Sequence, residues 1–188
     1  TAEALYAAAN NNYLATATPL VDWTDIDEAI RYHADNVRDD RANTGERRPI
    51  IFYPRVLLTA RRLSATAARI VAALEIRSQP GAADATQLTV TGNPIRNIAP
   101  GLRPLSSPLL DYFAGVTGSN YSSAQDWFIG DPKRQFIWQE IWPLQVMRAR
   151  QGDDAEFRRD IVAQFKVRYF GGLSAIDERH FIKVDGSA

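Results

Sequence analysis

Between Thr24 and Asn43, in "TDIDEAIRYHADNVRDDRAN", Ile26, Ile30, His33 and Val37 recur at three- and four-residue intervals, with charged residues between them. That period marks one face of an α-helix. Thr24 stands where an N-cap belongs, and acidic residues crowd the first turn, where the helix dipole favours them. The pattern predicts an amphipathic helix of about five turns with a charged outer face. "TGERRP" stops it, and "IIFYP" (residues 50–54) predicts a short buried strand ended by Pro54. A second helix follows from the apolar stripe Leu63, Ala67, Ile70, Val71 and Leu74, with Arg61, Arg62 and Arg69 beside it.

From residue 78 to 124 the pattern breaks up. "SQPGAADATQ" reads as a loop, "TGNPIRNIAPGLRPLSSP" as short extended pieces punctuated by proline and glycine, and "GVTGSNYSSA" as a flexible segment. Such a stretch suits a small lobe carried on the rest. Period two then takes over. "RQFIWQEIWPLQV" (134–146) is β-branched and aromatic, with apolar residues at both alternate sets of positions, which predicts a strand covered on both sides. "GDP" (130–132) reads as the turn joining it to "DWFI". In "DIVAQFKVRYF", Ile161, Ala163, Phe165, Val167 and Tyr169 alternate with Gln164, Lys166 and Arg168, which predicts a half-buried strand, and "HFIKV" (180–184) predicts a final one. Helices early and a largely antiparallel sheet late place the chain in the α+β class.

Composition removes several function classes. A length of 188 residues suits one domain, or one domain with an inserted lobe. Lys plus Arg equals Asp plus Glu at 22 each, so no net field draws the chain to nucleic acid or an anionic membrane. Lysine occurs only at positions 133, 166 and 183, so arginine carries most of the positive charge; its planar fork suits the fixed ion pairs of interfaces. Without cysteine there is no thiol nucleophile, zinc–thiolate site or disulfide, which fits a cytoplasmic origin. The opening twenty-one residues lack a basic leader segment, and no apolar run approaches the roughly 20 residues that span a bilayer. The chain reads as soluble and not exported. Beginning at Thr1 rather than Met, it reads as a processed or trimmed product.

Little in the chain points to catalysis. Neither phosphate-cradling glycine pattern is present, and no G-x-S-x-G elbow exists. His33 sits on a helical apolar stripe and reads as a satisfied core residue. His180, beside Asp177 and Glu178, could ligate a metal, but neighbours on extended chain diverge and no second histidine lies nearby. Asp39–Asp40 and Asp153–Asp154 read as solvated charge pairs. The richest stretch is residues 126–146, which holds Trp127, Trp138 and Trp142 among Asp126, Asp131 and Glu140. Glycosidases pair carboxylates with tryptophan floors, and Glu140, two residues from Trp138 and from Trp142, would be the candidate. The alternative is that this face packs in a core or against a neighbour, with Glu140 paired to an arginine.

The order of the segments "NTGERRPIIFYPRVLLTARRL", "NPIRNIAPGLRPLSSPLLD", "WFIGDPKRQFIWQEIWPLQVMRA" and "FRRDIVAQFKVRYFGGLSAIDERHFIKV" resembles the C-terminal part of major capsid proteins of tailed double-stranded DNA bacteriophages. Those proteins have the Hong Kong phage-type fold, shared with encapsulins. The resemblance implies an N-terminal remnant at 1–23, a peripheral-domain spine helix and strand at 24–53, an axial-type lobe at 54–124, and return strands at 125–188. It implies a phage or prophage shell subunit that assembles with copies of itself into pentamers and hexamers of an icosahedral shell around DNA. Scaffolding protein and packaged DNA are the further partners implied, with no cofactor, metal, catalysis or membrane. Its location would be the virion, and the host cytoplasm during assembly. Trp127, Trp138, Trp142, Arg61 and Arg62 are then candidates for subunit contact or core packing. In that family an N-terminal arm and an extended hairpin precede the spine helix, and only residues 1–23 do so here. The rival readings are an encapsulin-like compartment and a small hydrolase using Glu140 or His180.

Overall fold

The computed structural model describes residues 5–7, 10–39, 48–78, 89–114, 124–148 and 165–187. The chain divides into two compact units, one formed by Thr1–Gln135 with Asp177–Ala188 and the other by Phe136–Ile176.

In the first unit, strand β1 (Tyr13–Leu14) precedes helix α1 (Trp23–Asn36). α1 begins two residues earlier than a cap at Thr24 would set it. The side chain of Asp22 accepts the Thr24 N–H at 2.7 Å, while Asp25 accepts the Asp22 N–H at 2.9 Å, a reciprocal capping box. α1 also ends earlier than the charge run implies, because Val37 turns extended and leads into β2 (Arg38–Asp39), paired with β3 (Arg48–Pro49). At 14 residues α1 is about 21 Å long. Ile26, Ala29 and His33 form its buried face.

The segment "IIFYP" is not a strand, and Ile51 and Tyr53 are exposed. Strand β4 (Val56–Ala60) starts two residues after Pro54 instead. Both runs are apolar, and the ladder chooses between them: β4 pairs on both sides. A 3-10 turn at Arg61–Leu63 then feeds α2 (Ser64–Ala72), which buries Ala67 and Ile70; Leu74 lies beyond the helix and is exposed. A small ribbon of β5 (Glu75–Ser78) and β6 (Thr89–Gly92) leads to the short α3 (Ile95–Ile98), then β7 (Arg103–Ser107) and α4 (Pro108–Ala114). Strands β8 (Trp127–Gly130) and β11 (Phe181–Val184) complete a sheet in the order β1-β11-β8-β4-β7. Its two edge pairings are parallel and the two inner ones antiparallel. Leu57, Trp127, Ile129, Ile182 and Val184 from the sheet meet Ile26 and Ala29 of α1, Ala67 and Ile70 of α2, and Ile95 of α3 in one core. Mixed helix and sheet make the chain α+β.

"GDP" does not fold β8 back on the next strand. Asp131 accepts the Lys133 N–H at 3.1 Å and Pro132 takes the first helical position, so the segment opens one helical turn, α5 (Pro132–Gln135). Gly130 makes this exit feasible. Its φ is 151°, and a Cβ there would collide with the His180 carbonyl and lie 2.7 Å from the Phe181 Cα.

The second unit is a two-stranded antiparallel ribbon of β9 (Phe136–Arg148) and β10 (Phe165–Ala175). Residues 161–164, expected to begin β10, and Asp153–Asp154 lie outside the described residues.

Candidate functional site

The ribbon is built differently from the doubly covered strand that its composition suggests. Among the described residues both of its faces are exposed: Trp138 is 58% and Trp142 51% exposed, Phe170 is comparable, and Val146, Phe165, Val167 and Leu173 are more exposed still. β10, expected to be half-buried, is likewise open on both sides. The alternation on its own identifies a strand; what covers it depends on surfaces that a periodicity cannot see.

The register separates the two tryptophans. β10 runs without interruption, while β9 takes two more residues than its partner, at shifts flanking the Phe170 pairing. Trp138 is opposite Leu173 and Glu140 opposite Gly171, on the face that also carries Phe165, Val167 and Tyr169. Trp142 is opposite Phe170, on the other face, with Arg168. The β-bulge between Glu140 and Trp142 therefore turns Trp142 away from Trp138. A same-face Trp–Glu–Trp platform, as the spacing suggests, is not formed.

Each face holds its own aromatic cluster. On the first, Trp138 Nε1–H donates to the Tyr169 hydroxyl at 2.8 Å. The Tyr169 ring leans along its strand over Gly171, where a Cβ would lie 2.7 Å from the hydroxyl oxygen, so a side chain there would push the ring away. On the second face the Trp142 and Phe170 rings lie 5.9 Å apart at a tilt. The Arg168 guanidinium sits 5.1 Å over Trp142 while its Nε–H donates to Gln145 at 2.8 Å. These contacts hold large apolar side chains in fixed positions at the surface, which lowers the entropy lost when another surface covers them. Arg168, Tyr169, Phe170 and Leu173 are further members of this surface; the alternation puts Tyr169 on the buried side and Arg168 on the polar side of a half-buried strand, and gives no placement to Phe170 or Leu173.

The other candidate residues are placed elsewhere. Trp127 is fully buried in the first unit, and its Nε1–H donates to the Thr18 carbonyl at 3.0 Å. Arg61 and Arg62 stand at the 3-10 turn before α2, where Asp111 of α4 accepts the Arg61 backbone N–H at 2.9 Å and lies 3.6 Å from the Arg62 Nε. Glu140 is exposed and is the lone carboxylate among the described residues of the ribbon. Asp126, buried in the first unit, meets Lys183 at 3.0 Å.

The two histidines stand near each other in the first unit. His33 is fully buried, stacked 3.9 Å from Phe52, and its Nε2 lies 2.8 Å from the Arg179 carbonyl. A carbonyl only accepts, so Nε2 carries the proton and donates, leaving Nδ1 as a buried acceptor with no hydrogen-bond partner among the described residues. Burial pushes the His33 pKa down to about 4, and nearby His180 and Arg38 act in the same direction. His180 is also pushed below its ordinary value, by burial, although Asp177 at 3.7 Å opposes this. The Asp177 carboxyl is held below the usual range by its hydrogen bond from Arg179, whose Nε–H donates at 2.7 Å. This is a structural knot around the turn that precedes β11, with its carboxylate already engaged.

Among the described residues no group of three potential ligands could hold a metal ion, and no helix is long and apolar enough to cross a membrane. A hollow of about 350 Å3 lined by Tyr53, Pro54, Arg55, Ala99, Pro100 and Gly101 carries one charged side chain, and a neighbouring one of about 330 Å3 carries Arg96. Neither brings together an acid–base pair of the kind hydrolysis requires.

Compared with known proteins, the sequence matches the family described as phage capsid protein over residues 1–184. No curated protein and no solved structure matches it.

Proposed function

The chain belongs to the phage capsid protein family, a family of structural, non-enzymatic virion proteins, and from that premise we propose that it is a shell subunit that joins copies of itself into an icosahedral shell enclosing double-stranded DNA. On this reading the fold is of the Hong Kong phage type with α1 as the spine helix, subunits gather as pentamers and hexamers, and assembly proceeds in the host cytoplasm, with scaffolding protein and DNA as further partners.

The observation that carries the reading is the ribbon. An aromatic and aliphatic surface exposed on both faces is unusual for a protein that acts alone and ordinary for one whose surface is completed by neighbours. Balanced charge agrees with it, since subunits of one sign would repel on assembly.

Light scattering across concentration, with electron microscopy of the heaviest fraction, tests the reading. We expect mass to rise with concentration to rings or shells. Trp138→Ala and Trp142→Ala should each weaken association by about 2 kcal/mol, roughly thirtyfold, as for an aromatic anchor of an interface. A chain that stays monomeric at every salt and protein concentration overturns it.

A further inference from the structure

The ribbon's two edges are not alike. β9 carries Pro143, which has no N–H to donate, and accommodates both bulges, so its outer edge is interrupted. β10 has neither proline nor an inserted residue, and among the described residues its outer edge pairs with no strand. Among the described residues this uninterrupted edge of eleven residues leaves its outward N–H and C=O groups available to another strand.

We propose that the β10 edge pairs antiparallel with the β10 edge of a second copy, about a twofold axis through Phe170, joining two ribbons into a four-stranded sheet. The inference rests on the capsid reading and names the partner of its ribbon. A second copy is the occupant because the strand is complementary to itself. Centred on Phe170, pairing sets Phe165 opposite Ala175, Lys166 opposite Ser174, Val167 opposite Leu173, Arg168 opposite Gly172 and Tyr169 opposite Gly171. Phe170 meets its own copy at the axis as an aromatic pair, and on either side of it large side chains meet small ones, aliphatic meets aliphatic, and neither cation faces another cation. Displacing the register by two residues would end this match, setting Lys166 opposite Gly172 and Arg168 opposite Phe170. The contact is isologous and closes at two copies, so larger assembly uses the ribbon faces as well.

The chain has no cysteine, so introduced thiols report the pairing directly. Opposite residues of antiparallel strands have Cα atoms about 4.5–5.5 Å apart, within disulfide range. Under mild oxidation full-length Phe170→Cys should move from the monomer to the dimer position on a non-reducing gel. Lys166→Cys and Ser174→Cys should each remain monomeric alone and cross-link when mixed, which decides the matter even if the Phe170 variant does not fold. Cross-linking of Lys166→Cys with itself would mean a parallel or random contact and overturn the proposal. Absence of cross-links from Phe170→Cys and from the mixture would overturn it too. If light scattering of the unaltered chain still shows large assemblies in that case, the capsid reading stands and the β10 contact alone falls; a monomeric unaltered chain would remove both.

Discussion

His33 makes the stability of the first unit depend on pH in a direction that its surroundings determine. The ring is neutral when folded, with Nε2–H donated to the Arg179 carbonyl and Nδ1 bare. Protonating Nδ1 would place a buried cation, with no acceptor among the described residues, near Arg38 and His180 and against the Phe52 ring. The folded pKa is about 4, against 6.5 for the ordinary group. Because the folded value is the lower one, the unfolded chain takes up the proton first as pH falls. Stability is therefore complete above 6.5, declines between 6.5 and about 4, and levels off below. The interval corresponds to about 3 kcal/mol. His33→Gln retains an N–H able to reach Arg179 and cannot titrate. Urea unfolding of both proteins at about pH 8 and about pH 4 should show the parent losing about 3 kcal/mol more than the variant, since Asp177 and His180 are present in both and their contributions cancel in the difference. Parallel losses in the two proteins, or an imidazole NMR titration of His33 with its midpoint near 6.5, would show that His33 does not carry this pH dependence.

Three further outcomes concern the same unit. Trp127→Ala empties the centre of the core and should cost about 3–5 kcal/mol by chemical denaturation. Asp126→Ala removes the carboxylate 3.0 Å from the buried Lys183 ammonium together with the acceptor of the Gly186 N–H, and should cost a similar 3–5 kcal/mol, with Lys183→Met in the same chain restoring the part that belongs to the ion pair. Gly130→Ala forces a Cβ into the His180 carbonyl, so β8 and β11 should part, seen as a fall in melting temperature larger than an exposed alanine substitution produces.

Where local chemistry decides, the sequence was legible. The apolar stripe of α1 needs only its own residues to be seen, as does the strand at Phe181–Val184. The cap lies two residues from Thr24 because both Asp22 and Thr24 are good caps, and Asp25, reaching back to the Asp22 N–H, selects the first. The strand expected at "IIFYP" lies at Val56–Ala60 because pairing with β7 and β8 selects one of two similar runs. Nothing local marks the bulge that turns Trp142 away from Trp138. Four residues apart on a regular strand they would share a face, and only the count of β9 against β10 reveals the extra residue. The apolar residues of both faces were thus visible in the sequence, while the openness of both faces, and the one that carries Trp142, were not.

That two-sidedness bears on how a shell could be held together. A strand pair with one apolar face is satisfied by one neighbour, and a twofold contact of that kind ends at a dimer. Here Trp138 with Tyr169 and Trp142 with Phe170 point to opposite sides, so covering one cluster leaves the other in water. On the capsid reading, each copy must then meet more than one neighbour before its apolar surface is buried, and partial assemblies retain exposed aromatic patches that favour further growth. Each single contact can remain weak enough to break and re-form, because no face alone carries the whole association. Stability is reached when the surface closes, which is the behaviour a container needs and a dimer does not.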